Sequence, residues 1–319
     1  MQSNPLVLGL NAAILCLEDN TPKVLVVDGV EPSLPFGPFD QMRDRSLDMA
    51  LRRWVRTQTA LELEYVEQLY TFGNRFRDPG EVEGGPRIIS IGYMALVQPQ
   101  KPTGAHWQSI YDFLPWEDWR QGRPAIMAII DAALKTWALE VSGKDRTRRE
   151  ERIAITFGAA FEPERALERV ELLYEAGLLP EAHRDFTAAL KRGSPDLPIT
   201  RFNPQQHLET AKKLGQPMAV DHRRILATAL TRLRGKLKYR PLVFDLVPAG
   251  FTLLQLQKTV EALNGESTHK QNFRRIVLET GLVEPTGENI TPPRGRPAEL
   301  YRFRPDVLKE RSSAGLRRR

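Results

Sequence analysis

The stretch Leu34–Leu61, LPFGPFDQMRDRSLDMALRRWVRTQTAL, constrains this chain's fold more than any other. A glycine-containing loop over Ser33–Asp40 runs into a segment whose apolar positions Leu47, Ala50, Leu51, Trp54, Val55 and Leu61 keep helical spacing. Ser46 is the N-cap candidate and Asp48 stands in the first turn, so a helix is expected over Ser46–Thr59. Trp54 is expected to pack in the core. Strand-like runs flank this unit: Leu6–Leu17 and Lys23–Asp28 before it, Tyr65–Phe72 and Arg87–Gln98 after it. A turn at Glu18–Pro22 parts the first pair and a polar loop, Gly73–Pro86, parts the second.

The second half of the helix, Arg53–Leu61 (RWVRTQTAL), resembles the phosphate-processing box of the Nudix hydrolases. That box reads Gly, five residues, Glu, seven residues, then R-E-(apolar)-x-E-E-x-G-(apolar). Arg53 and the two apolar positions match. The three glutamate positions hold Trp54, Thr57 and Gln58, and the upstream Glu aligns with Arg45 once two residues are inserted after Gly37. Spacings of three and four put those positions on one helix face, where carboxylates would gather divalent cations around a pyrophosphate. None of the residues present supplies a carboxylate. The order strand, strand, loop, helix, strand, loop, strand over Gly9–Gln98 also matches, and Gly73-Asn74-Arg75 with Arg87 resembles the ADP-ribose-handling members. The resemblance implies an α/β (α+β) Nudix-like mixed-sheet sandwich that holds a nucleoside diphosphate compound without cutting it. No catalytic residue, metal ligand or required cofactor is expected.

Arginines crowd the same stretch at 43, 45, 52, 53 and 56. In place of a metal, one or two of them, with Arg75 or Arg87, would neutralise phosphates through bidentate hydrogen bonds. Phe36 and Tyr93 are candidates to stack on an adenine, with core packing as the other reading for each. The expected effector contacts are Phe36, Arg43, Arg45, Arg53, Arg75 and Arg87.

Charge separates the two parts of the chain. From Asp221 onward there are 20 Lys and Arg against 10 Asp and Glu, while the first 220 residues hold 26 against 30. The net charge of +6 therefore comes from the last third, which suits contact with a polyanion. The single cysteine, Cys16, excludes an internal disulfide and a cysteine-built zinc site; it is read as a core residue in a reducing cytoplasm. No apolar run is long enough for a membrane span.

Between the two parts, Trp107–Arg123 is aromatic-rich and is read as a structural insertion covering the sheet edge, with a lid or dimer contact as alternatives. Ala125–Leu139 is apolar on most faces and is expected to be a well-buried helix. Ser142–Glu151 is read as a charged connector into a returning strand, Arg152–Phe157, and Glu164–Leu178 as an amphipathic helix. Prolines in Lys191–Pro204 place an interdomain region from there to Pro217, dividing the chain into 1–216 and 217–319.

In the last part, Asp221–Tyr239 reads as a helix with Arg223, Arg224, Arg232, Arg234, Lys236 and Lys238 on its outer face. Thr252-x-x-Gln255 and Thr268-x-x-Gln271 each fit a capping box and open helices over Leu253–Leu263 and His269–Thr280. Two short helices across Asn264–Ser267 make a helix-turn-helix candidate. The second presents His269, Lys270, Gln271, Asn272, Arg274 and Arg275, the side chains that read base edges or phosphates. The helix N-termini at Thr252 and Thr268 are candidate phosphate donors. Strands at Leu282–Pro285 and Ala298–Phe303 are expected to form a wing, whose tip carries Arg294 and Arg296 for a minor groove.

A Nudix-like front half joined to a winged helix carrying FTLLQLQ, NFRR, TGLVEPTG and GRPAELYRF resembles the Nudix-related transcriptional regulators of NAD metabolism, the NrtR and NadQ types. The resemblance implies a homodimeric repressor of NAD biosynthesis genes that binds a double-stranded DNA operator and answers to NAD, ADP-ribose or ATP. Two other readings are an active Nudix pyrophosphatase with an accessory nucleic-acid module and an RNA-binding adaptor. The last lacks aromatic residues interleaved with the basic face.

Overall fold

The structure, a computed structural model, describes residues 5–74, 78–82, 84–158, 160–192, 202–237, 242–291 and 297–304. Its first part is a sheet with helices on both faces. The strands are β1 (Leu6–Glu18), β2 (Thr21–Val27), β3 (Phe36–Pro38), β4 (Tyr65–Phe72), β5 (Arg87–Leu96) and β6 (Ala105–Ser109), with α1 (Leu47–Thr59) after β3 and a short α2 (Pro79–Val82) inside the expected loop. Strand order is β4-β5-β1-β2-β6, and β3 lies against β1. Strands β1 and β5 run parallel, from Leu6 opposite Arg87 to Leu15 opposite Leu96; the other pairs are antiparallel. The mixed sheet is as expected, except that β6 comes from the aromatic-rich insertion. Trp107 pairs with Leu25, and Ala105 and Trp107 both pack against the core, so its first residues extend the sheet.

Alternation along β1 sorts the core into two. Leu10, Ala12, Ile14 and Cys16 join Leu25, Ile91 and Ala95 beneath Ala50, Leu51 and Val55 of α1. Ala13 and Leu15 join Val24, Val26, Phe72 and Met94 on the opposite face. That face is covered by the helices α3 (Ile110–Phe113), α4 (Ile126–Leu139), α5 (Gly143–Phe157), α6 (Ala166–Glu175), α7 (Pro180–Arg192) and α9 (His222–Leu237), and α8 (Pro204–Ala211) packs against α4 and α7.

Helix α9 lies directly on the sheet. Ile225, Leu226, Ala229, Leu230 and Leu233 are fully buried. Each buried leucine or isoleucine side chain contributes about 1.5–3 kcal/mol, so the sheet holds α9 along its length. Gly92 of β5 makes the close approach possible: a Cβ there would come to 2.8 Å from the Phe72 ring and 3.5 Å from Ile225. Helix α9, grouped by sequence with 217–319, thus packs on the sheet of the first part.

Three sequence expectations are corrected. Ser142–Glu151 and Arg152–Phe157 form one continuous helix, α5, not a connector and a strand. Its charges pair along the helix, as in Arg146–Glu150 at 2.8 Å, and helical spacing turns Ile153 and Phe157 toward the core. Helix α4 buries only one stripe, Met127, Ile130, Leu134, Trp137 and Ala138, and leaves Ile129 and Leu139 exposed. The basic residues of α9 do not form an outer face. Arg223 and Arg234 are buried against Glu181 and Glu117, while Arg224 pairs with Glu171 and Arg232 and Lys236 with Glu67. Acidic partners far apart in sequence engage them, turning Arg223 and Arg234 fully inward and leaving Arg232 exposed; Lys238 lies outside the described residues. Helices α7 and α8 had no counterpart in the sequence reading, and α8 falls within the stretch assigned to an interdomain region.

The last part contains α10 (Leu253–Asn264), α11 (Lys270–Glu279) and the antiparallel pair β7 (Val283–Ile290) and β8 (Ala298–Phe303). This is the expected helix-turn-helix with its wing. The backbone turns through Gly265 at φ +75°, a conformation that favours glycine.

Candidate effector site and nucleic-acid interface

Ser46 caps α1 as expected, its hydroxyl accepting from Met49 N at 3.2 Å. The face of α1 that carries glutamates in the Nudix box is occupied by contacts within the chain. The Trp54 indole lies against Gly37, where a Cβ would overlap it, and its Nε1 donates to the Pro38 carbonyl at 2.8 Å. The Gln58 amide pairs with the Phe36 backbone in both directions, accepting from Phe36 N at 3.1 Å and donating to Phe36 O at 2.7 Å. Thr57 is exposed. Among the described residues no cluster of three His, Cys, Asp or Glu is placed to hold a metal ion. The side chains on this face do not fit a divalent cation.

Arg53 makes a bidentate pair with Asp44, 2.9 Å from Nε to Oδ1 and 2.7 Å from Nη2 to Oδ2. That hydrogen-bonded guanidinium holds the Asp44 carboxyl below the usual carboxylate range. Arg53 therefore ties the 40–45 loop to α1. Arg52 is similarly engaged with Asp48. Arg43 and Arg45 are exposed and form no ion pair among the described residues. Arg87, also exposed, donates to the Gly73 carbonyl at 3.0 Å. It opens β5 opposite Leu6, and Phe39 N donates to Leu8 O, so Arg87 and the arginine-bearing loop lie toward the same end of the sheet. Arg75 lies outside the described residues. Tyr93 is buried in the core under α1, whereas Phe36 is 49% exposed.

One residue here escaped the sequence reading. His222, at the start of α9, is buried, and its Nδ1 accepts from Leu34 N at 3.0 Å. Its ring meets Phe36 edge-on at 5.5 Å. A lone histidine 188 positions from its partner carries no local signal. It joins the loop ahead of α1 to the helix on the opposite face of the sheet.

In the winged helix, the first capping box forms. Thr252 Oγ1 accepts from Gln255 N at 3.1 Å and Gln255 Oε1 accepts from Thr252 N at 2.7 Å. The second does not. Glu261 of α10 takes the Thr268 N–H at 2.9 Å and its hydroxyl at 3.2 Å, so the cap passes to His269, which offers no side-chain acceptor. The α11 N-terminus thus lacks a side-chain cap, while the α10 N-terminus is capped from within. Only Phe273 of α11 is buried. His269, Lys270, Gln271, Asn272, Arg274 and Arg275 are all exposed. Arg275 is held between Glu279, at 3.0 and 3.1 Å, and Asn272 Oδ1, at 3.0 Å. Arg294 and Arg296 lie outside the described residues.

Residues 243–303 match the family described as the NrtR DNA-binding winged helix domain. The last domain is similar to the NrtR winged helix. A curated relative, the ADPR responsive transcriptional repressor NtrR of Acinetobacter baylyi, is 42% identical over 96 residues, which span 30% of this chain and 37% of that repressor. Over the whole chain, the fold resembles that of Shewanella oneidensis NrtR crystallised with a 27mer DNA, with a TM-score of 0.54, 21% identity and 95% coverage of each chain. A MutT/nudix family protein from Enterococcus faecalis gives a TM-score of 0.51 at 16% identity, covering 95% of this chain and 88% of that one. The architecture is a Nudix-like sandwich followed by a winged helix of NrtR-like form. No helix among the described residues is long and apolar enough to cross a membrane.

Proposed function

We propose that the protein is a cytoplasmic, homodimeric transcriptional repressor of NAD biosynthesis genes, whose Nudix-like sandwich senses a nucleotide without hydrolysing it. The carrying observation is an NrtR-like winged helix with an exposed, polar α11, joined to a sandwich whose box face bears Trp54, Thr57 and Gln58. Arginine, lysine, asparagine and glutamine on such a helix suit base edges and phosphates in a major groove.

ADP-ribose is the favoured effector, because a relative matched over 96 residues is named as ADPR responsive; NAD and ATP share its adenylate and diphosphate chemistry. With Trp54 and Gln58 filling the inner face and Arg53 committed to Asp44, phosphate contact falls to Arg43, Arg45 and Arg87. Phe36, half exposed against His222, is the candidate aromatic for the adenine. Effector contact at Phe36 would act on His222 and so on α9.

A gel shift on duplex DNA from upstream of the neighbouring genes, with and without ADP-ribose, NAD and ATP, tests this reading. A shifted band altered by one of these nucleotides is expected, with no magnesium-dependent release of AMP or ribose phosphate. Absence of any shift, or cleavage at enzymatic rates, would overturn it.

A further inference from the structure

A helix leaves its last carbonyls without intrahelical donors. At the C-terminus of α10, three carbonyls are met from outside the winged helix. The Tyr111 hydroxyl donates to Ala262 O at 2.6 Å, Arg234 Nε to Leu263 O at 2.9 Å, and Trp119 N to Gly265 O at 2.6 Å. Behind them Glu117, fully buried, bridges two guanidiniums. Arg169 Nε donates to its Oε1 at 2.6 Å, and Arg234 Nη1 donates to its Oε2. Arg234 Nη2 also donates to the Glu117 carbonyl at 3.2 Å. A Cβ on Gly265 would overlap that same carbonyl oxygen and lie 3.1 Å from the Tyr111 hydroxyl. The turn of the helix-turn-helix sits on this cluster without slack.

Every group in the seat belongs to the first part of the molecule. Tyr111 and Glu117–Trp119 follow the edge strand β6, Arg169 is on α6, and Arg234 is in the last turn of α9. The first residue of α9 is His222, which holds the Leu34–Phe36 loop. One continuous helix of 16 residues therefore touches the candidate effector site at one end and the helix-turn-helix at the other.

We infer that Tyr111, Glu117 and Arg234 are positioning residues for DNA reading: they set the angle at which α11 meets a duplex and pass the state of the Leu34–Phe36 loop to it. The inference rests on the DNA-binding reading given above. All three side chains are buried, so they act on DNA only through orientation.

The test uses the full chain and a duplex that the wild type selects from a randomised pool, with affinity followed by fluorescence anisotropy. Tyr111→Phe keeps the ring and removes one donor. Its affinity is expected to fall about 2- to 10-fold, the net worth of one hydrogen bond. The slope of log affinity against log salt stays unchanged, because no phosphate contact is lost. A merely structural role would lower the melting temperature and leave the affinity of the folded chain as it was. Gly265→Ala lifts the turn from its seat, so a larger loss of affinity is expected with the sandwich still folded; it decides the matter alone should Tyr111→Phe fail to fold. Both variants within about twofold of wild type would overturn the inference while leaving DNA binding intact. A wild type that selects no duplex overturns the DNA reading itself.

Discussion

Glu117 shows how much a single buried carboxylate can organise. Burial pushes its carboxyl up, yet Arg234 and Arg169 together outweigh burial and hold it below the ordinary 4.5. A carboxyl held low in the folded state stabilises above its unfolded value and loses that contribution as pH falls through the folded one. Acidification below 4.5 is therefore expected to loosen the seat of the helix-turn-helix. Asp185 works in the opposite sense. Burial pushes it up to about 6 despite Arg184, so its contribution is present below 3.8 and fades as pH rises through about 6. Thermal melts across pH should show a shallower acid limb in Glu117→Gln, and an unchanged limb would contradict this assignment. Glu117→Ala, which leaves two guanidiniums buried without a carboxylate, should cost about 3–5 kcal/mol. On α11, the pre-oriented Arg275 is expected to read a base and Lys270 a phosphate. Arg275→Ala should cost about 1–3 kcal/mol and relax preference at one position, whereas Lys270→Ala should weaken all sequences alike and reduce the salt slope by about one. Competition binding with single-base operator variants separates the two, and equal loss across all bases for Arg275→Ala would count against it.

At the scale of elements, α9 departs most from what its sequence suggests. Six basic residues over Arg223–Lys238 look like a polyanion-binding face, yet the five described all pair with acids of the sandwich. Those partners, Glu67, Glu117, Glu171 and Glu181, are distant in sequence, so no local pattern announces them. The same limit hid β6, whose pairing depends on β2, and Thr268, whose hydroxyl answers to Glu261 instead of starting a capping box. Elements defined by local chemistry were legible: α1 with its Ser46 cap, the Thr252 capping box, and the strands β1, β2, β4 and β5; β3 fell inside the expected Ser33–Asp40 loop. Two substitutions probe this level. Gly92→Ala places a methyl between Phe72 and α9 and should destabilise by about 1–3 kcal/mol, an overpacking effect visible in urea melts. Thr252→Ala should remove about 0.5–2 kcal/mol from the winged helix alone. A Gly92→Ala protein as stable as wild type would mean that α9 does not press on the sheet as described.

For the whole molecule, the two-part plan was readable because each part carries its own signature: a degenerate box in a strand-and-helix order, and a basic helix-turn-helix with a wing. The joint between them was not readable. It consists of one helix, a fully buried Glu117 and a glycine turn, which only the fold brings together. A nucleotide can alter DNA affinity through this joint only if it binds the DNA-competent shape differently from the free one. Such coupling is reciprocal, so the most direct measurement is the affinity for ADP-ribose by calorimetry, first on the free chain and then on the chain saturated with its selected duplex. The two dissociation constants are expected to differ by about 5- to 150-fold. Equal constants, or no heat in either titration, would contradict this coupling.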